Sequence, residues 1–162
     1  MPMIRKMEHA DAAAVLDIYA YGLRTRNATF ETQVPTWEKW NQSHLIHSRL
    51  VCIANNKIVG WTALSKVSSR SVYQGVCEVS VYIAENLLGR GLGTKLLKSV
   101  IDSSEKNGIW TIFTSLFPEN IASVRMHENC GFRKIGTRER IATLDGIWRD
   151  TVIMERRSKI VG

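Results

Sequence analysis

Residues 78–94 read EVSVYIAENLLGRGLGT. An apolar strand pattern gives way to a polar turn, then to a glycine-rich bend that opens directly into the helical pattern TKLLKSVIDSSEK at 94–106. Gly89, Gly91 and Gly93 tolerate positive φ and let a ligand approach the backbone, while the first amides of the following helix have no intrahelical acceptor and point outward. A strand, bend and helix in this order make a seat for an anion, and a pyrophosphate suits it. Glycines at this spacing can also do no more than form a tight turn, so the bend alone leaves both readings open. It lacks the Gly-Lys-Ser/Thr ending of a Walker loop and the G-x-G-x-x-G order of a dinucleotide fingerprint, which favours other adenylate-containing ligands.

Upstream of the bend, Met3 to Met7 form a short strand. A helix starts at His9-Ala10-Asp11, with Val15, Ile18, Tyr19 and Leu23 at helical spacing. The loop RTRNATFETQVPT leads to a second helix near Pro35 and Thr36 that carries Trp37 and Trp40 on one side. LVCIAN and KIVGWTALSKV flank Asn55-Asn56, a dipeptide suited to a tight hairpin, and VCEVSVYIA follows as a third long strand. Downstream, the helix from about Gly91 to Asn107 stops at Gly108, and IWTIFTSLF reads as a strand. Pro118-Glu119-Asn120 caps the helix IASVRMHEN, ended by Gly131. FRKIGTRERIATL and IWRDTVIMERR are joined by Asp145-Gly146, the strongest hairpin signal in the chain. The order is βααβββαβαββ, a mixed α/β domain with no internal repeat.

At 162 residues the chain is expected to be one domain with a core that needs neither disulfide nor metal. The net charge of +7 favours anionic partners, but the basic residues are scattered, so no nucleic-acid partner is expected. Cys52, Cys77 and Cys130 lie in apolar or helix-end contexts with no C-x-x-C pair and read as buried reduced thiols. His44 and His47 lack companions at ligand spacing and read as structural, so no metal is expected. No apolar stretch reaches the length of a membrane span, so the expectation is a cytoplasmic protein with no membrane partner.

LLGRGLG at 87–93, EVSVYI before it and ENIASVRMHENCGF at 119–132 together resemble the GNAT superfamily of N-acetyltransferases. In that superfamily a Q/R-x-x-G-x-G/A motif follows the central strand, and an N-x-x-S-x-x-x-(Y/H)-E-x-x-G-F segment lines the other side of acetyl-CoA. Asn120, Ser123, His127, Glu128, Gly131 and Phe132 match the second motif. NATFE at 27–31, SVYI at 80–83 and DGIWRDTVIME at 145–155 are similar to the phosphinothricin acetyltransferase group. Its members acetylate the α-amino group of phosphinothricin, methionine sulfoximine and methionine sulfone. The resemblance runs from Met3 to Arg156, and one position departs from it: Leu88 stands where Gln or Arg is usual.

The resemblance implies a single GNAT domain over 1–162. Its fold is a mixed, mostly antiparallel sheet of about seven strands flanked by about four helices, splayed where acetyl-CoA binds. It implies cofactor contacts from Val81, Tyr82 and Ile83, from the bend Leu88, Gly89, Arg90, Gly91, Leu92, Gly93 and Thr94, and from Asn120 and Ser123. Acceptor contacts fall on Phe30, Arg70, Tyr73, Val79 and Trp148, of which Phe30 and Trp148 read equally well as ordinary core aromatics, and the subgroup implies a homodimer.

Amide formation needs a neutral amine, hence a base, and Glu78 is an acidic residue in an otherwise apolar strand, where burial raises a carboxyl pKa. Glu78 also reads as an outward-facing strand carboxylate or a partner of Arg70 or another basic side chain. The amides of Val81 and Ile83 suit the developing oxyanion. His127 occupies the place of a family tyrosine that serves the leaving thiolate, and it also reads as a partly exposed helical histidine. No cysteine lies in a nucleophile motif, so direct transfer to a small-molecule amine is expected. Acetylation of a protein N-terminus or peptide, and a non-catalytic acetyl-CoA-binding module, are the alternatives.

Overall fold

The computed structural model describes residues 1–162, and the chain runs β1 (Met3–Lys6), α1 (Ala12–Arg24), α2 (Trp37–Ser43), β2 (Leu50–Ala54), β3 (Lys57–Lys66), β4 (Val76–Ile83), α3 (Leu92–Lys106), β5 (Thr111–Leu116), α4 (Ile121–Asn129), β6 (Arg133–Leu144) and β7 (Ile147–Arg157). This is the order read from the sequence. Local chemistry explains its joints. Asn55 and Asn56 adopt φ of 51° and 61°, and Asp145 and Gly146 adopt 52° and 78°, the paired left-handed conformations that fold a two-residue hairpin with the twist of its strands. The Asp11 carboxylate accepts two bonds from the Arg5 guanidinium, at 2.8 and 2.9 Å, and one from the Glu8 amide at 2.7 Å, which ties β1 to the start of α1.

The seven strands form one sheet in the order β1-β2-β3-β4-β5-β7-β6. Every neighbouring pair is antiparallel except β4 and β5. That parallel pairing stops at Glu78↔Phe113, although β4 continues to Ile83 and β5 to Leu116. The two strands therefore part company in the middle of the sheet. The Ala84 amide still donates to Val59 O at 2.8 Å on the β3 side, so strand alternation turns the amides of Val81 and Ile83 the other way, toward the gap.

Helices divide the two faces unequally. α3 and α4 cover one face, where Leu97 and Val100 of α3 are fully buried against Cys77, Val79, Ile112 and Met154, and Leu96 against Cys52 and Val59; each such leucine contributes roughly 1.5–3 kcal/mol by leaving water. On the opposite face α1 and α2 pack Val15, Ile18 and Trp40 against Val51, Trp61 and Ala63 of the first strands. Over β5, β7 and β6 that second face carries no helix. Residues paired across a sheet share a face, and residues two apart on a strand do likewise. Glu78↔Phe113, Ser115↔Ile153 and Arg138↔Thr151 therefore line up on this open half.

Candidate active site

The glycine bend walls a cleft of about 350 Å³. Gly89 and Gly91 hold φ of 78° and 77°, the left-handed region that glycine occupies without strain, and Gly91 stands at the N-cap of α3. The first intrahelical bond runs from Lys95 N to Gly91 O, which leaves the amides of Leu92, Gly93 and Thr94 without partners in the helix. Every residue from Leu88 to Thr94 lines the cleft except Arg90, whose exposed side chain leaves the wall. Gly93 serves packing as well, because a Cβ there would stand 2.7 Å from Met126 Sδ on α4. The opposite walls come from Val81, Tyr82 and Ile83 of β4 and from Asn120 and Ser123, with the Asn120 side chain capping α4 through the Ser123 amide.

Val81, Tyr82, Asn120 and Ser123 also border a second cleft of about 310 Å³, which occupies the gap between β4 and β5. His127 lines it while remaining 3% exposed, so it is a buried histidine and not a partly exposed helical one. Its Nδ1 lies 2.7 Å from Ser123 O, and since a carbonyl only accepts, Nδ1 carries the proton. Burial holds the ring below the ordinary imidazole pKa, so the neutral ring presents a bare Nε2. His44 repeats this arrangement from the far wall. Its Nδ1 donates to Trp40 O at 2.7 Å, its ring stacks on Trp40 at 4.0 Å, and burial lowers its pKa.

Glu78 stands where this gap meets a third cleft, a trough of about 410 Å³ on the open face of the sheet. Burial is the larger influence on its carboxyl and raises the pKa, and the charge of Arg138 opposes it. Glu78 is in none of the ion pairs of the chain, Arg70 included. Phe113, Ser115, Thr151 and Arg138 floor the trough, and Phe30 closes one end by packing edge-on against Phe117 with ring centroids 4.9 Å apart. The loop carrying Ala28 to Glu31 is fastened over it. Arg149 donates to Arg26 O at 3.0 Å, Arg26 pairs with Asp145 at 3.0 Å, and Asn120 Nδ2 donates to Asn27 O at 3.1 Å.

Glu78, His127, Phe30 and the cofactor set apart from Arg90 thus converge on one continuous channel. The other acceptor positions do not. Val79 is one residue from Glu78 on the same strand, so its side chain faces the opposite side and is buried in the α3 core, leaving only its backbone at the gap. Arg70 lies ahead of the 3-10 turn Ser71–Tyr73, its guanidinium over the Tyr73 ring at 5.4 Å, and neither residue reaches any of the three clefts. Trp148 is 54% exposed on β7 with Arg140 over its ring, away from the trough and from the core. Several polar wall residues carry no functional mark in the sequence, among them Glu31, Arg138, Thr151 and His44, which reads there as structural. Their only signal is polar chemistry near strand or loop patterns, which many surface residues share.

No cysteine lines a cleft; all three are buried and unpaired, and burial pushes the Cys77 thiol up to about 11. No group of three or more His, Cys, Asp or Glu side chains is arranged to hold a metal ion. No helix is long and apolar enough to cross a membrane.

A model described as "Acetyltransferase (GNAT) family" matches residues 16–132. The phosphinothricin N-acetyltransferase of Alcaligenes faecalis is 31% identical over 160 residues, covering 94% of this chain and 81% of that protein. The L-methionine sulfoximine/L-methionine sulfone acetyltransferase of Salmonella typhimurium is 27% identical over 157 residues, covering 94% and 92%. The solved structure of yncA from Salmonella typhimurium with its cofactor acetyl-CoA superposes with a TM-score of 0.91 at 25% identity, over 97% of this chain and 94% of that one.

Proposed function

The chain belongs to the GNAT family of acetyltransferases, and from that premise we propose that it transfers the acetyl group of acetyl-CoA directly to the α-amino group of a small amino acid analogue of the phosphinothricin, methionine sulfoximine or methionine sulfone type. The observation that carries the reading is the half-buried, unpaired carboxylate of Glu78, which borders both the gap between β4 and β5 and the trough beside it. An amine held in the trough meets a base on one side and the thioester on the other.

The residues present fit acetyl-CoA. Two left-handed glycines and the free first amides of α3 suit a pyrophosphate, and the unpaired edge of β4 suits the amide groups of a pantetheine arm as an added strand would. When bound, acetyl-CoA supplies an acetyl thioester whose carbon is open to attack. Backbone N–H groups of Val81 and Ile83 point into the gap and stabilise negative charge developing on the thioester oxygen. The Arg90 side chain is exposed beside this cradle and not on its wall, and Leu88 in place of a polar residue removes nothing that the backbone supplies.

Glu78, its pKa raised by burial, takes the proton that the α-ammonium must lose, directly or through one water. As the C–N bond forms the C–S bond breaks, and the departing sulfur needs a proton. The neutral His127 ring has none to give from Nε2, so it acts as a relay: the nitrogen that has bonded to the acetyl carbon carries a surplus proton, and Nε2 accepts that proton and hands it to the sulfur, leaving a neutral amide and a free thiol. Cysteines that are buried and line none of the clefts support transfer without an acetyl-enzyme. The reading comprises one GNAT domain over 1–162, cytoplasmic and homodimeric. The exposed Ile135, Ile141, Ile147 and Trp148 of the β6–β7 ribbon support pairing of two copies there.

Thiol release from acetyl-CoA by the purified protein tests the reading, with phosphinothricin, methionine sulfoximine, methionine sulfone, ordinary amino acids and short peptides as acceptors. Saturable turnover with an amino acid analogue is expected. Turnover only with peptides would replace this acceptor class by the peptide one, and acetyl-CoA binding with no turnover would leave a non-catalytic binding module.

A further inference from the structure

The loop after α1 is the wall that the three clefts share. Ala28 borders all of them, Thr29 and Glu31 border the gap and the trough, and Phe30 borders the trough. Yet from Asn27 to Pro35 no backbone group bonds to another backbone group, and the segment belongs to no helix or strand. A loop with no ladder of its own is placed by side chains, and it opens at little cost unless they hold it. The Asn120 amide holds Asn27 O from the cofactor side, and the Phe30 ring rests edge-on against Phe117.

The β6–β7 hairpin supplies the rest of the fastening, and it grips Arg26 twice. Arg26 follows α1 with a φ of 55°, a left-handed conformation uncommon for a residue with a side chain. Its guanidinium pairs with Asp145 in the hairpin turn at 3.0 Å, and its carbonyl accepts from Arg149 Nη1 at 3.0 Å. The Asp145 pair is exposed on both sides, whereas the Arg149 side chain is only 16% exposed and its guanidinium lies over the Phe117 ring at 3.9 Å. One buried guanidinium thus holds both the carbonyl where the loop begins and the ring on which Phe30 rests. Its pairing with Glu119 at 3.4 Å adds little, because that carboxylate is open to water.

We propose that Arg149 is a positioning residue for acceptor binding: through Arg26 O and Phe117 it holds the loop of residues 27–31 against the trough, and its loss weakens the grip on the acceptor while sparing that on acetyl-CoA. The proposal rests on the reading of the trough as the acceptor site given above. Acetyl-CoA is spared because the glycine bend and the free amides of α3 do not depend on the loop. A ring face and a carbonyl within reach of one side chain suit a flat cation with N–H groups along its edge, which lysine lacks.

Two readouts on the purified protein test it. Trypsin cuts after Arg26 only when the loop leaves its seat, so the rate of that cut reads the fastening without any turnover. In Arg149→Met the cut at Arg26 is expected to be about 10-fold faster than in wild type, with cuts elsewhere in the fold unchanged. The same variant should raise KM for methionine sulfone about 10-fold, with kcat within about 3-fold and acetyl-CoA affinity within about 2-fold of wild type. Arg149→Lys should recover part of both effects, and Glu119→Gln should change each by less than about 2-fold. An unchanged cut at Arg26, faster cuts throughout the chain, or a fall in kcat with KM unchanged would each overturn the assignment while the acceptor class stands. If wild type acetylates peptides and no free amino acid, the acceptor class falls, and the tryptic cut together with KM for the peptide still decides the role of Arg149.

Discussion

The Nδ1 of His127 donates to the carbonyl oxygen of Ser123, one turn earlier on the same helix, at 2.7 Å. That bond decides what the ring can do, since it commits the proton to the helix and leaves a lone pair toward the gap. Nitrogen NMR of the labelled protein should report a neutral ring with the proton on Nδ1 and a pKa below the ordinary value. His127→Ala should slow transfer by about 10- to 100-fold and leave acetyl-CoA affinity near wild type. An imidazolium at neutral pH would instead make the ring a direct proton donor to the sulfur.

Glu78→Gln keeps the shape of the wall and removes the base. A fall in kcat of about 10²- to 10⁴-fold with acetyl-CoA binding unchanged is expected. Because burial penalises the ionised carboxylate, the same variant should melt at a higher temperature than wild type at pH 7. Calorimetric titration and a thermal melt on one preparation measure both, and parallel losses of rate and affinity would remove Glu78 from the base role.

Gly91 and Gly93 fail differently when substituted. Gly91→Ala meets no neighbour but must hold a left-handed φ of 77°, a strain of roughly 1–2 kcal/mol. Gly93→Ala brings a Cβ against Met126 Sδ, an overpacking of about 1–3 kcal/mol. A Met126→Ala change in the second background should recover much of the lost stability and do nothing for the first. Denaturant unfolding of the single and double variants reads the coupling, and additive losses would show that Met126 is not what Gly93 accommodates.

Stability should rise from acid toward neutral pH. Hydrogen bonding to Arg5 lowers the Asp11 pKa, so that contribution is present above the unfolded carboxyl value of about 3.9 and is lost as pH falls through the folded one. Burial lowers His44 and His127, so their contribution is complete above about pH 6.5 and lost progressively below it, where the unfolded chain binds the protons. Glu78 runs the opposite way, its contribution present below about pH 4.3 and lost as pH rises. Urea midpoints between pH 5 and 7 should therefore increase, with a shallower slope in His127→Gln.

Much of this architecture was legible because its signals are local. Asn55-Asn56 and Asp145-Gly146 specify their turns through the backbone each residue tolerates, and the bend at 87–93 specifies a strand, cradle and helix through glycine and apolar spacing. Glu78 stood out because a carboxyl in an apolar strand is costly wherever the strand goes. Arg70 gave no such purchase, since a loop arginine carries no period that says where its guanidinium ends.

The sequence by itself determined the order of elements, the glycine cradle and the candidate base, all of which depend on interactions within a few residues. Tertiary structure alone decided the walls of the trough. Arg138 and Thr151 face Glu78 because four strands distant in sequence lie side by side in matching pleat, and strand parity reverses with every one-residue slip of register. His44 reaches the gap only because the amide of Leu45 bonds Leu64 O at 2.8 Å and sets the chain beside β3. Those pairings exist only in the folded sheet, where contacts between remote segments choose which face each side chain shows.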